Sequence, residues 1–143
     1  MAKTAPSAGS GSLTAEFPRS IDAVEQARRA VLAYLAPFAV EPRVVNRIEV
    51  VLEELVSNVA RHAAGASLIR VEAHADDREV GLAVIDDGAA FNPLDMDDPQ
   101  AFDELENAKL GGLGIPLIRR LTQSARYART GDRNRLEVVF ALG

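Results

Sequence analysis

Two glycine-bearing loops and one helical turn carry the residues of this sequence that can do chemistry. The first loop follows an apolar run and reads Asp86-Asp87-Gly88-Ala89-Ala90-Phe91-Asn92-Pro93. A carboxylate at the end of a buried strand, with a glycine two positions on, can hold a hydrogen-bond donor deep in a pocket while the chain turns away. The exocyclic amine of adenine is one such donor, and a plain Asp-Gly turn is the alternative reading. The second loop, Gly111-Gly112-Leu113-Gly114, leads straight into an apolar segment. Glycines before a helix start let backbone N–H groups approach an anion, which the helix dipole favours. The spacing is neither that of a P-loop nor that of a dinucleotide fingerprint, and tight helix packing explains the glycines equally well. The third feature is Glu54 and Asn58, four residues apart. With 100° per residue and Val44 at zero, they fall at about 280° and about 320°, just outside the apolar stripe. There they border a cleft between helix and sheet, or else form an ordinary surface pair. Glu53, at about 180°, belongs to solvent. His62 falls near the stripe centre and reads as a satisfied core or boundary histidine.

The elements that position these residues follow from periodicity. Residues 13–18 form a short strand. Ser20 is placed as the N-cap of a helix reaching about residue 36, with Ile21, Val24, Ala27, Val31, Leu32 and Leu35 at helical spacing. A second helix opens at Glu41-Pro42, runs to about Ala64 on Val44, Val45, Ile48, Val51, Leu52, Leu55, Val56 and Val59, and is closed by Gly65. The period then becomes two. Residues 68–75 alternate as a half-buried strand, and residues 80–85 are apolar throughout, as in a central strand buried on both faces. Residues 86–111 are loop-like, 115–121 helical, and 124–129 with 136–142 form a hairpin around a 131–134 turn. This order predicts an α+β two-layer sandwich, a mixed or antiparallel sheet covered on one face by about three helices.

The chain has 143 residues, no cysteine, 48% hydrophobic residues and a formal net charge of −5. One domain of this size buries roughly 70% of the surface its unfolded chain exposes. Without cysteine, thiolate metal sites, disulfides and thiol nucleophiles are excluded. The acidic balance argues against non-specific nucleic-acid binding. No bilayer-spanning run or secretory leader is read, which makes the expected location cytoplasmic and off the membrane. Residues 1–12, rich in small residues, read as a disordered tail before a single domain over 13–143. Residues 94–110 carry Asp95, Asp97, Asp98, Asp103, Glu104 and Glu106 against Lys109, an acidic surface loop or a mobile cover over a pocket. Lys109, beside the glycines, can approach phosphates or stand as an ordinary exposed lysine.

Glu54-x-x-x-Asn58 on a helix, Asp86-x-Gly88 after a strand and Gly112-x-Gly114 before a helix occur in one order. That order resembles the N, G1 and G2 boxes of the Bergerat-fold (GHKL) ATPases. The short length and the run DDGAAFNP look most like the anti-sigma-factor serine/threonine protein kinases of that superfamily. The resemblance covers residues 13–143 and implies a histidine-kinase-like ATPase domain that uses ATP and Mg²⁺. It implies Glu54 as general base, Asn58 as the Mg²⁺ ligand and Asp86 as acceptor for the adenine amine. Gly88 would allow close approach of the base, and Gly112 and Gly114 would line the phosphate pocket. Implied too are an anti-anti-sigma (STAS-type) phosphoacceptor, a sequestered sigma factor and a homodimer. The second glycine usual in the G1 box is Ala90 here. Asp86 is preferred to Asp87 because Gly88 then falls two positions later. His62 lies inside the N-box helix, which reads against a sensor histidine kinase. A nucleotide-binding partner-switching module without kinase activity, and a Bergerat fold that no longer binds ATP, are the alternatives.

Overall fold

The computed structural model describes residues 11–97 and 114–142. Among the described residues, five strands and three α-helices build two layers: β1 (Leu13–Pro18), α1 (Asp22–Leu35), α2 (Pro42–His62), β2 (Leu68–Ala75), β3 (Glu79–Asp86), α3 (Ile115–Leu121), β4 (Ser124–Thr130) and β5 (Arg133–Ala141). Short 3₁₀ turns follow α1 (Ala36–Phe38) and the β3 loop (Pro93–Asp97). The sheet order is β1-β2-β3-β5-β4, and every neighbouring pair is antiparallel. The sheet is therefore purely antiparallel rather than mixed.

Period two sets which strand residues meet the helices. Val80, Leu82 and Val84 of β3 face inward, Val84 level with Val71 on β2 and Leu136 on β5. Ile48, Val51, Leu52, Leu55 and Val56 of α2, with Ala23, Ala27 and Val31 of α1, close the core above them. Each fully buried Ile, Leu or Val contributes about 1.5–3 kcal/mol relative to exposure. The next inward position on β3 is Asp86, level with Ile69 and Asn134, and Asn134 lies beside Arg129 on β4. On β3, β5 and β4 the apolar rows thus end in polar residues, while β2 continues with Ile69.

β3 is buried on both faces, as its composition predicts, but no second helical layer covers the back among the described residues. Its outward positions are Gly81, Ala83 and Ile85, so small residues on the middle strand lie under long neighbours. Arg135 reaches Glu72 (2.8 Å) and Glu137 (3.1 Å), Arg70 reaches Glu16 (3.2 Å), and Arg126 reaches Glu137 (3.2 Å). A lattice of alternating charges shields the backbone of the central strand.

Several boundaries differ from the sequence expectation. Ser20 is not an N-cap: Ile21 already has helical dihedrals, no side chain caps α1, and the Ser20 carbonyl accepts from Ala23 N–H at 3.0 Å. α2 stops at His62, before Ala64, because Ala63 turns extended, and Gly65 serves the turn after it. The final hairpin closes over Gly131 and Asp132 alone, so β5 starts at Arg133 and Asn134 is a strand residue. Residues 1–10 of the expected tail and 98–110 of the acidic segment lie outside the described residues.

Arg19 fastens the end of α2 to the chain after β1, and Asp87 ties the exit of β3 to the start of β2. Arg19 donates from Nε to the carbonyls of Val59 (3.1 Å) and Ala60 (3.2 Å), a cation on the carbonyl end of a helix. Asp87 accepts from Ser67 N–H (2.7 Å), Leu68 N–H (3.1 Å) and Ser67 Oγ (2.6 Å). The Ser67 hydroxyl and these two N–H groups pull the Asp87 carboxyl down to about 2. A carboxylate depressed in the folded state stabilises fully above its unfolded value and loses that contribution as the pH falls toward about 2. Asp87→Ala is expected to cost about 1–2 kcal/mol at pH 7, with water competing at this partly exposed site. In paired urea melts the difference between the two proteins should shrink between pH 4 and pH 2 (roughly the range between the unfolded and folded values).

Candidate functional site

Asp86 is only 6% exposed. Its Oδ1 accepts from Gly88 N–H at 2.8 Å and from Asn134 Nδ2 at 3.0 Å. Oδ2 takes no hydrogen bond among the described residues, and no buried side-chain nitrogen or oxygen there lacks a partner. Asp86 lines the cavity above it. That cavity lies between α2, the end of β3 and the hairpin, with Leu55, Asn58, Val59, Val84 and Leu136 among its walls and Phe91 and Tyr127 at its sides. It is an apolar slot with an acceptor at its floor. Asp87, by contrast, is occupied with Ser67 and Leu68, so the geometry separates two neighbouring carboxylates that the sequence left adjacent.

Gly88 has a reason of its own. A Cβ there would stand 2.9 Å from the Ala64 carbonyl oxygen and 3.1 Å from Asp86 Oδ1. The bare backbone lets the loop lie against the segment after α2, where Ala89 N–H donates to the Ala64 carbonyl at 2.9 Å. Ala90 and Phe91 are exposed, Phe91 at 45%.

A second, more open cleft runs between α1 and α2, lined by Asp22, Arg28, Glu49, Glu53, Glu54 and Arg61 among others. Asn58 and His62 line both cavities, which makes that edge of α2 the wall between them. His62 sits at this wall rather than in the core, because the last turn of the apolar stripe overhangs the polar end of the sheet. Burial, with the charges of Arg61 and Arg19, lowers its pKa below the usual histidine value.

Glu54 is half-buried and Glu53 exposed. Burial, then the neighbouring Glu53 charge, raises the Glu54 carboxyl above the ordinary glutamate value against the opposing pull of Arg61. Gly114 lies directly against it: with φ at +71°, a Cβ there would collide with Glu54 Oε1 and stand 2.7 Å from its Cδ. Three segments distant in sequence therefore meet at this end of the molecule: Glu54 with Gly114, and Asn58 with Asp86 around one slot. Gly112 and Lys109 lie outside the described residues.

Asn134, Tyr127 and Arg129 escaped the sequence reading. Asn134 is buried at 6% and binds both Asp86 and the 88–91 loop. A signal was present. Asn134 shares the parity of Leu136, Val138 and Phe140, and a polar residue at an inward position of an alternating strand requires a buried partner.

Residues 17–140 match the family model described as histidine kinase-like ATPase domain. The serine/threonine-protein kinase BtrW of Bordetella bronchiseptica is 29% identical over 90 residues, 61% of this chain and 63% of that protein. The match thus spans less than two thirds of the curated relative's length. Among solved structures, the Acinetobacter baumannii histidine kinase AdeS superposes with a TM-score of 0.49 at 14% identity, covering 90% of this chain and 68% of that one. With the family model spanning nearly all of the described core, this chain belongs to the histidine kinase-like ATPase domain family.

Proposed function

We propose that the protein is a cytoplasmic ATP-dependent serine/threonine kinase of the anti-sigma type. In this reading it transfers the γ-phosphoryl of ATP to a serine on a small anti-anti-sigma (STAS-type) partner, sequesters a sigma factor, and acts as a homodimer. One observation carries the reading: Asn58 stands on the wall between a slot floored by Asp86 and a cleft that holds Glu54. That arrangement supports a nucleotide whose base enters the slot, whose phosphates cross at Asn58, and whose acceptor hydroxyl arrives from the cleft. A named protein serine/threonine kinase among the relatives supports the same chemistry.

Each residue then has a task. Asp86 Oδ2 accepts from the adenine amine. Glu54 takes the proton of the incoming hydroxyl, and its raised carboxyl suits a general base better than an ordinary surface glutamate. Gly114 leaves room for that carboxylate, and Gly112 and Lys109 are assigned to the phosphates by their place in the sequence. Asn58 would hold Mg²⁺ through its carboxamide oxygen. Among the described residues no group of three or more His, Asp or Glu is placed to hold a metal. A carboxamide oxygen is a ligand that a hard ion such as Mg²⁺ accepts, and the ion, when bound, would neutralise phosphate charge.

Mg-ATP at about 100 times its Kd should stabilise the fold by about 2.7 kcal/mol, visible as a rise in melting temperature; no rise at any concentration would remove the nucleotide from the proposal. Glu54→Gln is expected to lower label transfer to a cognate STAS partner by about 10²-fold or more while ATP binding persists. Wild-type transfer should rise with pH through an inflection above the ordinary glutamate range, since only the deprotonated base works. Transfer undiminished in Glu54→Gln would leave a kinase with another base, and no transfer to any cognate partner would favour a binding module. Gly114→Ala combines a strained φ with displacement of Glu54 and should cut transfer about tenfold or more in the same assay.

A further inference from the structure

The buried carboxamide of Asn134 sits between two chemically opposite sets of groups. Its Oδ1 receives donors only: the Tyr127 hydroxyl, Phe91 N–H at 3.2 Å and Arg129 Nη1 at 3.2 Å. Its Nδ2 faces acceptors only: Asp86 Oδ1 at 3.0 Å, the Ala89 carbonyl at 2.9 Å and the Gly88 carbonyl at 3.5 Å. Turning the amide over would set nitrogen against three donors and oxygen against a carboxylate, so its orientation is fixed. Arg129 closes the ring by donating to the Gly88 carbonyl at 2.8 Å. One side chain therefore ties β5 to the carboxylate of β3, to both ends of the 88–91 loop and to β4.

We propose that Asn134, held by Tyr127 and Arg129, is the positioning residue of the base-recognition slot, and that it sets discrimination between 6-amino and 6-oxo purines. The proposal rests on the nucleotide reading above and deepens it. With Oδ1 saturated by Asn134 and Gly88, Asp86 presents Oδ2 alone to the slot, and a carboxylate oxygen accepts without donating. A 6-amino group satisfies it, whereas a 6-oxo group places a second acceptor against it in a water-poor pocket. Phe91, at the side of the slot, is anchored by the same carboxamide through its N–H, so the register of the wall and the direction of the acceptor are fixed together.

Asn134→Asp is nearly isosteric and changes the chemistry at one atom. The variant sets a carboxylate oxygen, which cannot donate, against Asp86 Oδ1 and the Ala89 and Gly88 carbonyls in place of the amide N–H groups. Affinity for ATP and GTP is measured by calorimetry for wild type, Asn134→Asp and Tyr127→Phe, with folding checked by thermal melts.

Wild type should prefer ATP. Asn134→Asp should bind ATP about tenfold or more weakly than wild type, the scale of one hydrogen bond left unmade, with a narrowed ATP/GTP ratio. Tyr127→Phe should bind ATP a few fold more weakly with a narrowed ATP/GTP ratio. A folded Asn134→Asp that binds ATP as wild type does, or binds it more weakly with an unchanged ATP/GTP ratio, overturns the proposal while leaving the nucleotide reading intact. Should Asn134→Asp fail to fold, the ratio in Tyr127→Phe decides, and an unchanged ratio overturns it. Absence of ATP binding by wild type overturns the nucleotide reading and this proposal with it.

Discussion

A carboxylate placed at the end of the central strand, on the helix side of the sheet, must be given donors or the strand cannot end there. Asp86 follows Val80, Leu82 and Val84 along one face, so burial of that face carries it into the interior. Leaving a buried charge unsatisfied costs several kcal/mol. The local structure answers that demand. The chain turns so that Gly88 N–H returns to Oδ1, β5 supplies Asn134 at the matching register, and β4 supplies Arg129 and Tyr127 to hold Asn134. The slot above Oδ2 is what remains when one oxygen has been satisfied by protein and the other has not.

The helix layer meets this polar row at its end. The apolar stripe of α2 needs the apolar rows of the sheet beneath it, and those rows stop at Val84 and Leu136. Beyond them Asn58 and His62 lie over the slot and Glu54 over the neighbouring cleft. The back of the sheet imposes the complementary condition. The His74 ring lies against the bare backbone of Gly81, and Glu72 and Glu137, both held by Arg135, flank Ala83, so among the described residues side chains rather than a second helical layer cover the back of the middle strand.

Much of this was legible because it depends on period. The six apolar positions of α2 that the structure buries, the alternation of β2 and the continuous apolarity of β3 are each consequences of one face meeting a core. The placement of Glu54 and Asn58 beside the stripe followed from the same arithmetic. What escaped was set by contacts between distant segments. Ser20 has a capping side chain, yet Ile21 enters helical dihedrals without it. Asn134 looked like part of a turn because Gly131 and nearby polar residues suggest one, while its real role depends on Asp86, 48 positions earlier. Gly88 was legible as a place of close approach, and its closest protein neighbour is the chain after α2, which no local pattern announces.

Two pairs of adjacent acids show how the same period assigns chemistry. On a strand, consecutive side chains point to opposite faces, so Asp86 enters the slot and Asp87 turns to the start of β2. On a helix, consecutive side chains diverge by 100°, so Glu53 faces water and Glu54 the cleft. The consequences run in opposite directions. Asp87 is surrounded by donors, which stabilise its charge and pull its carboxyl down to about 2, a setting that suits a structural tie and makes it a poor proton acceptor. Glu54 is partly desolvated beside another acid, which raises its carboxyl and makes proton uptake easier. Neither identity nor neighbourhood in sequence separates the members of each pair. Their angular position on the element does: a shift of one residue in the register of β3 would exchange the two aspartates, and a shift of one residue in the phase of α2 would bring Glu53 to the cleft and turn Glu54 into the apolar stripe.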